Sequence, residues 1–178
     1  MAASSRNGIY NSEDLWQEES LPDFHETHLL SNDRPVDGKI YTMYHGTTLA
    51  AAKNIINEGF KQSIDGMLGR GVYVSRDIKK ASRYPLRDRS DQVILKVRVN
   101  VGKVMKIDDQ GHPLQKTWHN HGYDTAWVPP NCGMVPSGRE EDCVWDPNRI
   151  QVTDVVKAPK KSLIYSFFRI CQGRLLIQ

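Results

Sequence analysis

At 178 residues, 39% of them hydrophobic, the chain has material for one globular domain with a sizeable core. It has no run of about 20 apolar residues of the kind a membrane-spanning helix requires, and residues 1–16 lack the basic-then-apolar order of a secretory signal. Three cysteines without CxxC spacing (Cys132, Cys143 and Cys171) argue against a secreted disulfide scaffold, so a reducing, cytoplasmic setting is expected.

The net charge of +3 is unevenly spread. Residues 1–38 carry eight acids against Arg6 and Arg34, a net −6, which leaves +9 on the remainder. This acidic leader has little periodic pattern and ends in the turn-forming cluster SNDRPVDGK, so it reads as a loosely ordered lead-in. A body of +9 invites an anionic partner, although surface lysines are often only solvated.

From residue 40 the punctuation becomes regular. KIYTMYH alternates and is rich in β-formers, predicting a strand that ends at His45. Thr47 or Thr48 then caps a helix through LAAAKNIINEG, with Leu49, Ala52, Ile55 and Ile56 at helical spacing and Gly59 as the stop. GVYVS is a short strand, DIKKASRY a short helix opened by Asp77, and QVILKVRVNVGKV a longer strand ended by Gly102. Residues 109–140 are dense in Gly, Pro, His and Trp with little regular pattern. DCVWD and RIQVTDVV are strands separated at Pro147. Strands that follow one another favour an α+β fold around a largely antiparallel sheet over a doubly wound parallel one.

Several constellations invite functional readings. DGMLGRGVYVS holds Gly66, Gly69 and Gly71 without the Lys-Ser/Thr pair of a Walker loop, and a strand follows the glycines where a Rossmann turn has a helix. It is a loop that lets backbone approach a ligand, or simply a tight turn. His112, His119, His121, Cys132 and Cys143 are zinc-type ligands, but their spacing matches no finger or ribbon, and no metal is expected. KTWHNHGYDTAWVPPN instead offers aromatic side chains for the rim of a pocket. Arg76, Lys79, Lys80, Arg83, Arg87 and Arg89 form a basic run able to track phosphates or attract an acidic acceptor. In the C-terminal stretch, Leu163, Ile164, Phe167, Phe168 and Cys171 make one helical face, suited first to packing on the domain and second to a partner or membrane surface.

YHGT at 44–47, GRGVYVSRDIKKASRY at 69–84 and EEDCVWDPNRI at 140–150 together resemble the catalytic domain of the poly- and mono-(ADP-ribosyl) transferases. That signature is a His from a first strand, a Tyr from a G-x-G-x-Y strand and a Glu from a late strand. VILKVRVNVGKV and GYDTAWV resemble two further elements of the family, and the likeness spans most of 40–156. Within the superfamily the chain is most similar to the interferon-inducible, reovirus-induced gene-two proteins of fish.

The resemblance implies an ADP-ribosyltransferase (PARP catalytic)-like α+β fold, a largely antiparallel split sheet with short helices, in residues 39–156. It leaves 1–38 as the leader and 157–178 as an apolar and basic extension. It implies NAD as co-substrate and single transfer to an acceptor, protein before nucleic acid, in an antiviral setting. An inactive module that binds NAD, ADP-ribose or RNA is the alternative. Breaking the nicotinamide–ribose bond develops positive charge on the sugar, which a carboxylate must stabilise. By resemblance the catalytic set is Glu141, His45 and Tyr73. The donor is held by His45, Gly46, Thr47, Gly71, Tyr73, Ser82 and Tyr84, with His45 on the adenosine ribose, Gly46 on the carboxamide, and Tyr73 and Tyr84 about the nicotinamide ring. Ala81 stands where polymer-forming relatives carry a carboxamide-bonding serine, and Ser82 is the adjacent hydroxyl. The intervals from His45 to Tyr73 and from Tyr73 to Glu141 are shorter than in the larger enzymes, which implies trimmed loops.

Read locally, a histidine at a strand end is more often a satisfied core residue, and an acidic run such as Glu140–Asp142 is more often a solvated face. If EEDCVWD is extended, however, Glu141, Cys143 and Trp145 share one face, away from Asp142 and Val144.

Overall fold

A computed structural model describes residues 33–85, 89–160 and 162–175. Most of the acidic leader, and Arg87 of the basic run, lie outside the described residues. In chain order the elements are β1 (Ile40–Thr48), α1 (Leu49–Glu58), β2 (Val72–Val74), α2 (Ile78–Ala81), β3 (Gln92–Asn100), β4 (Val104–Lys106), a 3₁₀ turn (Trp118–His121), β5 (Thr125–Val128), β6 (Glu141–Val144), a second 3₁₀ turn (Pro147–Arg149), β7 (Ile150–Lys157) and α3 (Ile164–Leu175). No described helix is long and apolar enough to cross a membrane.

The strands form two sheets, ordered β1-β3-β7 and β2-β6-β5-β4. Every pairing is antiparallel except β4 with β5. The architecture is the α+β split sheet expected. What joins the halves is one isolated bridge, in which Tyr44 and Ser75 exchange both backbone hydrogen bonds, at 2.7 and 3.0 Å.

β1 does not end at His45. Its ladder with β3 continues through Gly46↔Ile94, Thr47↔Val93 and Thr48↔Gln92, because β3 is long enough to keep offering partners. The helix cap therefore falls to Thr48, whose hydroxyl accepts from Ala51 N at 3.2 Å. Gly59, at φ 85°, closes α1.

Two cores flank the sheets. One packs Met43, Leu95, Val97 and Val99 against α1 and α3, and Ile164 and Phe168 of the C-terminal stretch belong to it. α3 is thus part of the domain's packing, although Leu163 stays exposed and Phe167 and Cys171 are half-buried. The other core gathers Leu68, Ile107, Trp118, Val128 and Cys143. Trp118 lies inside it, with its indole N–H donating to Leu68 O at 2.8 Å, rather than on a pocket rim. Residues 109–140 are not wholly irregular: β5 (Thr125–Val128) is a regular strand paired on both sides, and the rest of the stretch is turns whose apolar side chains serve this core.

Candidate active site

The acidic run is not a solvated face: Glu140 and Asp142 are fully buried and Glu141 is 7% exposed. β6 is a central strand of its sheet, and its alternation runs as predicted. Asp142 and Val144 point one way, with Val144 in the first core, while Cys143 packs into the second and Glu141 lines a hollow. Burial of three consecutive acids needs compensation, because an unpaired buried charge costs several kcal/mol. Two cations of the basic run supply it. Lys80 Nζ lies 2.9 Å from Glu141 Oε1, and Arg76 is buried beside Glu140. Lys79, Arg83 and Arg89 are exposed, so the run is divided between core and surface and does not form one continuous phosphate track.

Asp142 is held differently. Neither of its carboxyl oxygens meets a donor among the described residues. Burial first, then the charge of Glu140, push its carboxyl well above the usual range.

β1 brings in His45 and Gly46. His45 Nδ1 is 2.8 Å from Tyr73 O. A carbonyl only accepts, so Nδ1 carries the hydrogen and Nε2 keeps its lone pair. Burial lowers the imidazole's pKa, opposed in part by that hydrogen bond, and the ring stays a neutral acceptor suited to a sugar hydroxyl. Its edge meets Phe60 with centroids 5.2 Å apart. Tyr44 directs its N–H and C=O to Ser75, and alternate residues of a strand face the same edge, so Gly46 presents both groups beside the hollow. A Cβ on Gly46 would overlap Ala81 O, so only glycine lets β1 and α2 approach this closely.

Tyr73 is pinned by its hydroxyl, which donates to Gly69 O at 2.7 Å and accepts from Leu68 N at 3.0 Å. Burial raises its pKa, so it stays neutral. A Cβ on Gly66 would overlap that hydroxyl oxygen, which explains one glycine of the loop by contact with the ring. Gly71, at φ 152°, runs its backbone against Cys143, whose thiol burial pushes up to about 12. That thiol is a packing group rather than a nucleophile.

α2 is a single turn opened by Asp77, whose carboxylate accepts from Lys79 N at 2.8 Å. It places Lys80, Ala81 and, just beyond its end, Tyr84 on the hollow. The Lys80 ammonium sits 6.0 Å from the Tyr84 ring centroid. Ser82 is not brought there. It lies one position further round the turn, and its hydroxyl donates back to Ile78 O at 2.8 Å.

The hollow lined by His45, Gly46, Tyr73, Lys80, Tyr84 and Glu141 has a volume of about 80 Å³. Across the His45–Tyr73 wall lies a second of about 380 Å³, lined also by Ala51, Asn54, Phe60, Gln62 and Gly71. The second falls within the roughly 300–1,000 Å³ typical of ligand sites, and the first is a small cleft beside it. His45, Gly46, Tyr73, Tyr84, Glu141 and Gly71 thus converge, while Thr47 lines neither hollow. Lys80, which the sequence pattern marked only as part of a basic run, also lines the smaller hollow. Its signal was the i, i+4 spacing to Tyr84, which sets both on one side of a helical turn. Among the described residues, no group of three or more His, Cys, Asp or Glu side chains could hold a metal ion. His119 instead stacks on Trp145, centroids 3.5 Å apart.

The split sheet thus carries a buried, cation-paired carboxylate in one hollow and a second hollow across a shared His–Tyr wall. The chain matches the family model of the poly(ADP-ribose) polymerase catalytic domain over residues 5–156, and it belongs to that family, whose members transfer ADP-ribose from NAD. The match reaches back through the acidic leader. No curated protein matches the chain.

Proposed function

We propose that the chain is an active ADP-ribosyltransferase that moves single ADP-ribose units from NAD to a protein acceptor, in the cytoplasm and in an antiviral setting. The observation that carries the chemistry is the Lys80–Glu141 pair, 2.9 Å apart and buried within the hollow that His45, Gly46, Tyr73 and Tyr84 line. In this reading Gly46 takes the nicotinamide carboxamide with its free backbone edge, and the Tyr73 and Tyr84 rings flank the nicotinamide. Glu141 accepts from the ribose 2′-hydroxyl as positive charge develops on the sugar. His45 Nε2 accepts from the adenosine ribose, and the larger hollow takes the adenine. The short interval between Tyr73 and Glu141 supports single transfer, and the resemblance to the fish gene-two proteins supports the antiviral setting. Three unpaired cysteines suit a reducing compartment.

The test incubates purified protein with NAD labelled in the adenosine half and follows nicotinamide release and label transfer, with Glu141→Gln in parallel. Release by wild type and loss of release by on the order of 100- to 1,000-fold in the variant are expected. Label accumulating as a ladder would refute single transfer. Thermal stabilisation by NAD with no release would establish a silent binding module instead.

A further inference from the structure

Glu140 is used by nothing in the chemistry above, yet it is the most fully engaged carboxylate in the site's surroundings. Its Oε1 accepts from Ser75 Oγ at 2.5 Å, Arg76 N at 2.6 Å and Asp77 N at 3.2 Å, and its Oε2 lies 3.9 Å from the Arg76 guanidinium. It is completely buried, and with three donors on one oxygen it has no reach toward a substrate. All three donors belong to one segment, the turn Ser75–Asp77 that leads into α2. Asp77 caps α2 and is itself ion-paired with Arg139, the residue just before Glu140. Three residues beyond Asp77 is Lys80, the counter-ion of Glu141.

Glu140 and Glu141 are consecutive in extended chain, so their side chains leave on opposite faces. We propose that Glu140 is a positioning residue for the transfer reaction. Its carboxylate pegs the start of α2 to the residue that enters β6 and thereby sets Lys80 against Glu141, the first residue of that strand. Two adjacent residues then hold both members of the catalytic ion pair in register, one by bearing the carboxylate and the other by anchoring the helix that brings the ammonium. The 2.9 Å separation of Lys80 and Glu141 follows from a tether of one backbone peptide on one side and one helical turn on the other. Asp142, on the face of Glu140, touches none of these donors and serves as a control of equal burial.

This inference rests on the proposed transferase activity, and the experiment separates the two. Nicotinamide release is measured against NAD concentration for wild type, Glu140→Gln, Lys80→Met, the double variant and Asp142→Asn, each corrected for the folded fraction by circular dichroism. Glutamine keeps the shape but loses the charge that strengthens all three bonds. Misplacing a reacting group by about 1 Å costs up to about 100-fold, so E140Q is expected to lower kcat by about 10- to 100-fold with KM for NAD within about twofold. In the Lys80→Met background the same change is expected to lower kcat no further, because the group it positions is gone. D142N is expected to keep wild-type kcat. Should E140Q not fold, Ser75→Ala, which removes one donor from the same oxygen, carries the same comparison. An E140Q enzyme with unchanged kcat, or a loss of equal size with and without Lys80, overturns the inference while leaving the activity intact. A wild type that binds NAD without releasing nicotinamide overturns the activity, and the positioning role with it.

Discussion

The Lys80–Glu141 pair makes a demanding prediction because its two members are buried together. Their side chains are 7% and 9% exposed, so solvent screens them little. At 2.9 Å and an effective dielectric near 20, the attraction is about 6 kcal/mol before desolvation is charged against it. Desolvation consumes much of that, and the net worth of the intact pair is small, but removing one member strands the other and costs about 3–5 kcal/mol. Lys80→Met, which keeps most of the stem over Tyr84, is therefore expected to lower the melting temperature by roughly 10 °C for a domain of this size. Adding Glu141→Gln removes the stranded carboxylate, so the double variant is expected to be more stable than K80M alone, with a coupling of about 1–3 kcal/mol. Thermal unfolding of the four proteins at low and high salt reads this directly, and the coupling should persist at high salt as a surface pair's would not. Additive stability changes, or a K80M protein as stable as wild type, would refute the pairing and the buried site built on it.

Other outcomes follow from single contacts. Gly46→Ala drives a Cβ into the backbone oxygen of Ala81, an atom that cannot rotate aside, so it is expected to cost about 1–3 kcal/mol and to abolish NAD-induced stabilisation in a thermal shift assay. Ala81→Ser adds a hydroxyl to the wall of the smaller hollow, and by gaining one hydrogen bond it is expected to tighten nicotinamide or benzamide binding by roughly 3- to 10-fold in calorimetry. The raised pKa of Asp142 means that the folded protein binds a proton the unfolded chain has released. Its stabilising effect is full below about pH 4 and is lost as pH rises toward the folded pKa, at up to about 1.4 kcal/mol per pH unit. The D142N substitution mimics the protonated acid, so the variant is expected to show a flatter stability–pH curve above about pH 4 by chemical denaturation, and an unchanged slope would show that Asp142 does not hold that proton.

The contrast between Glu141 and Glu140 shows how far the sequence carries the site. A period of two along EEDCVWD was enough to place Glu141 with Cys143 and Trp145, because strand geometry leaves only two faces. Which environment each face meets was not legible, since the partners come from the turn before α2, more than 60 residues earlier in the chain. For the same reason a basic run read as a unit divides once folded, with Arg76 and Lys80 committed inward and Lys79 and Arg83 outward. A helix of one turn is too short for periodicity to announce its inner side: one residue is about 100° of rotation, which at Ser82 exchanges the hollow for a bond to Ile78 O. The lining of the larger hollow by Phe60 and Gln62 depends on how the loop folds back. Ser63 N meets Gly71 O at 2.9 Å and Gln62 Nε2 meets Trp145 O at 2.6 Å, contacts no local pattern encodes.

The position of the site also explains why the sheet is split at all. β1 and β2 meet at the antiparallel bridge Tyr44–Ser75, so a continuous ladder would next have paired Gly46 with Tyr73. Instead β2 runs beside β6, and the Tyr73 carbonyl accepts from the His45 imidazole. On the other side of the bridge Glu140 captures the N–H groups of Arg76 and Asp77 and turns the chain into α2, so the ladder is not extended there either. Gly46 is left with an N–H and a C=O on an edge that no strand occupies, which is costly for a half-buried backbone unless something supplies a partner. A primary carboxamide has one donor group and one acceptor on a single plane, the same complement as the missing strand residue. On the reading proposed above, the nicotinamide carboxamide would complete this edge of the sheet.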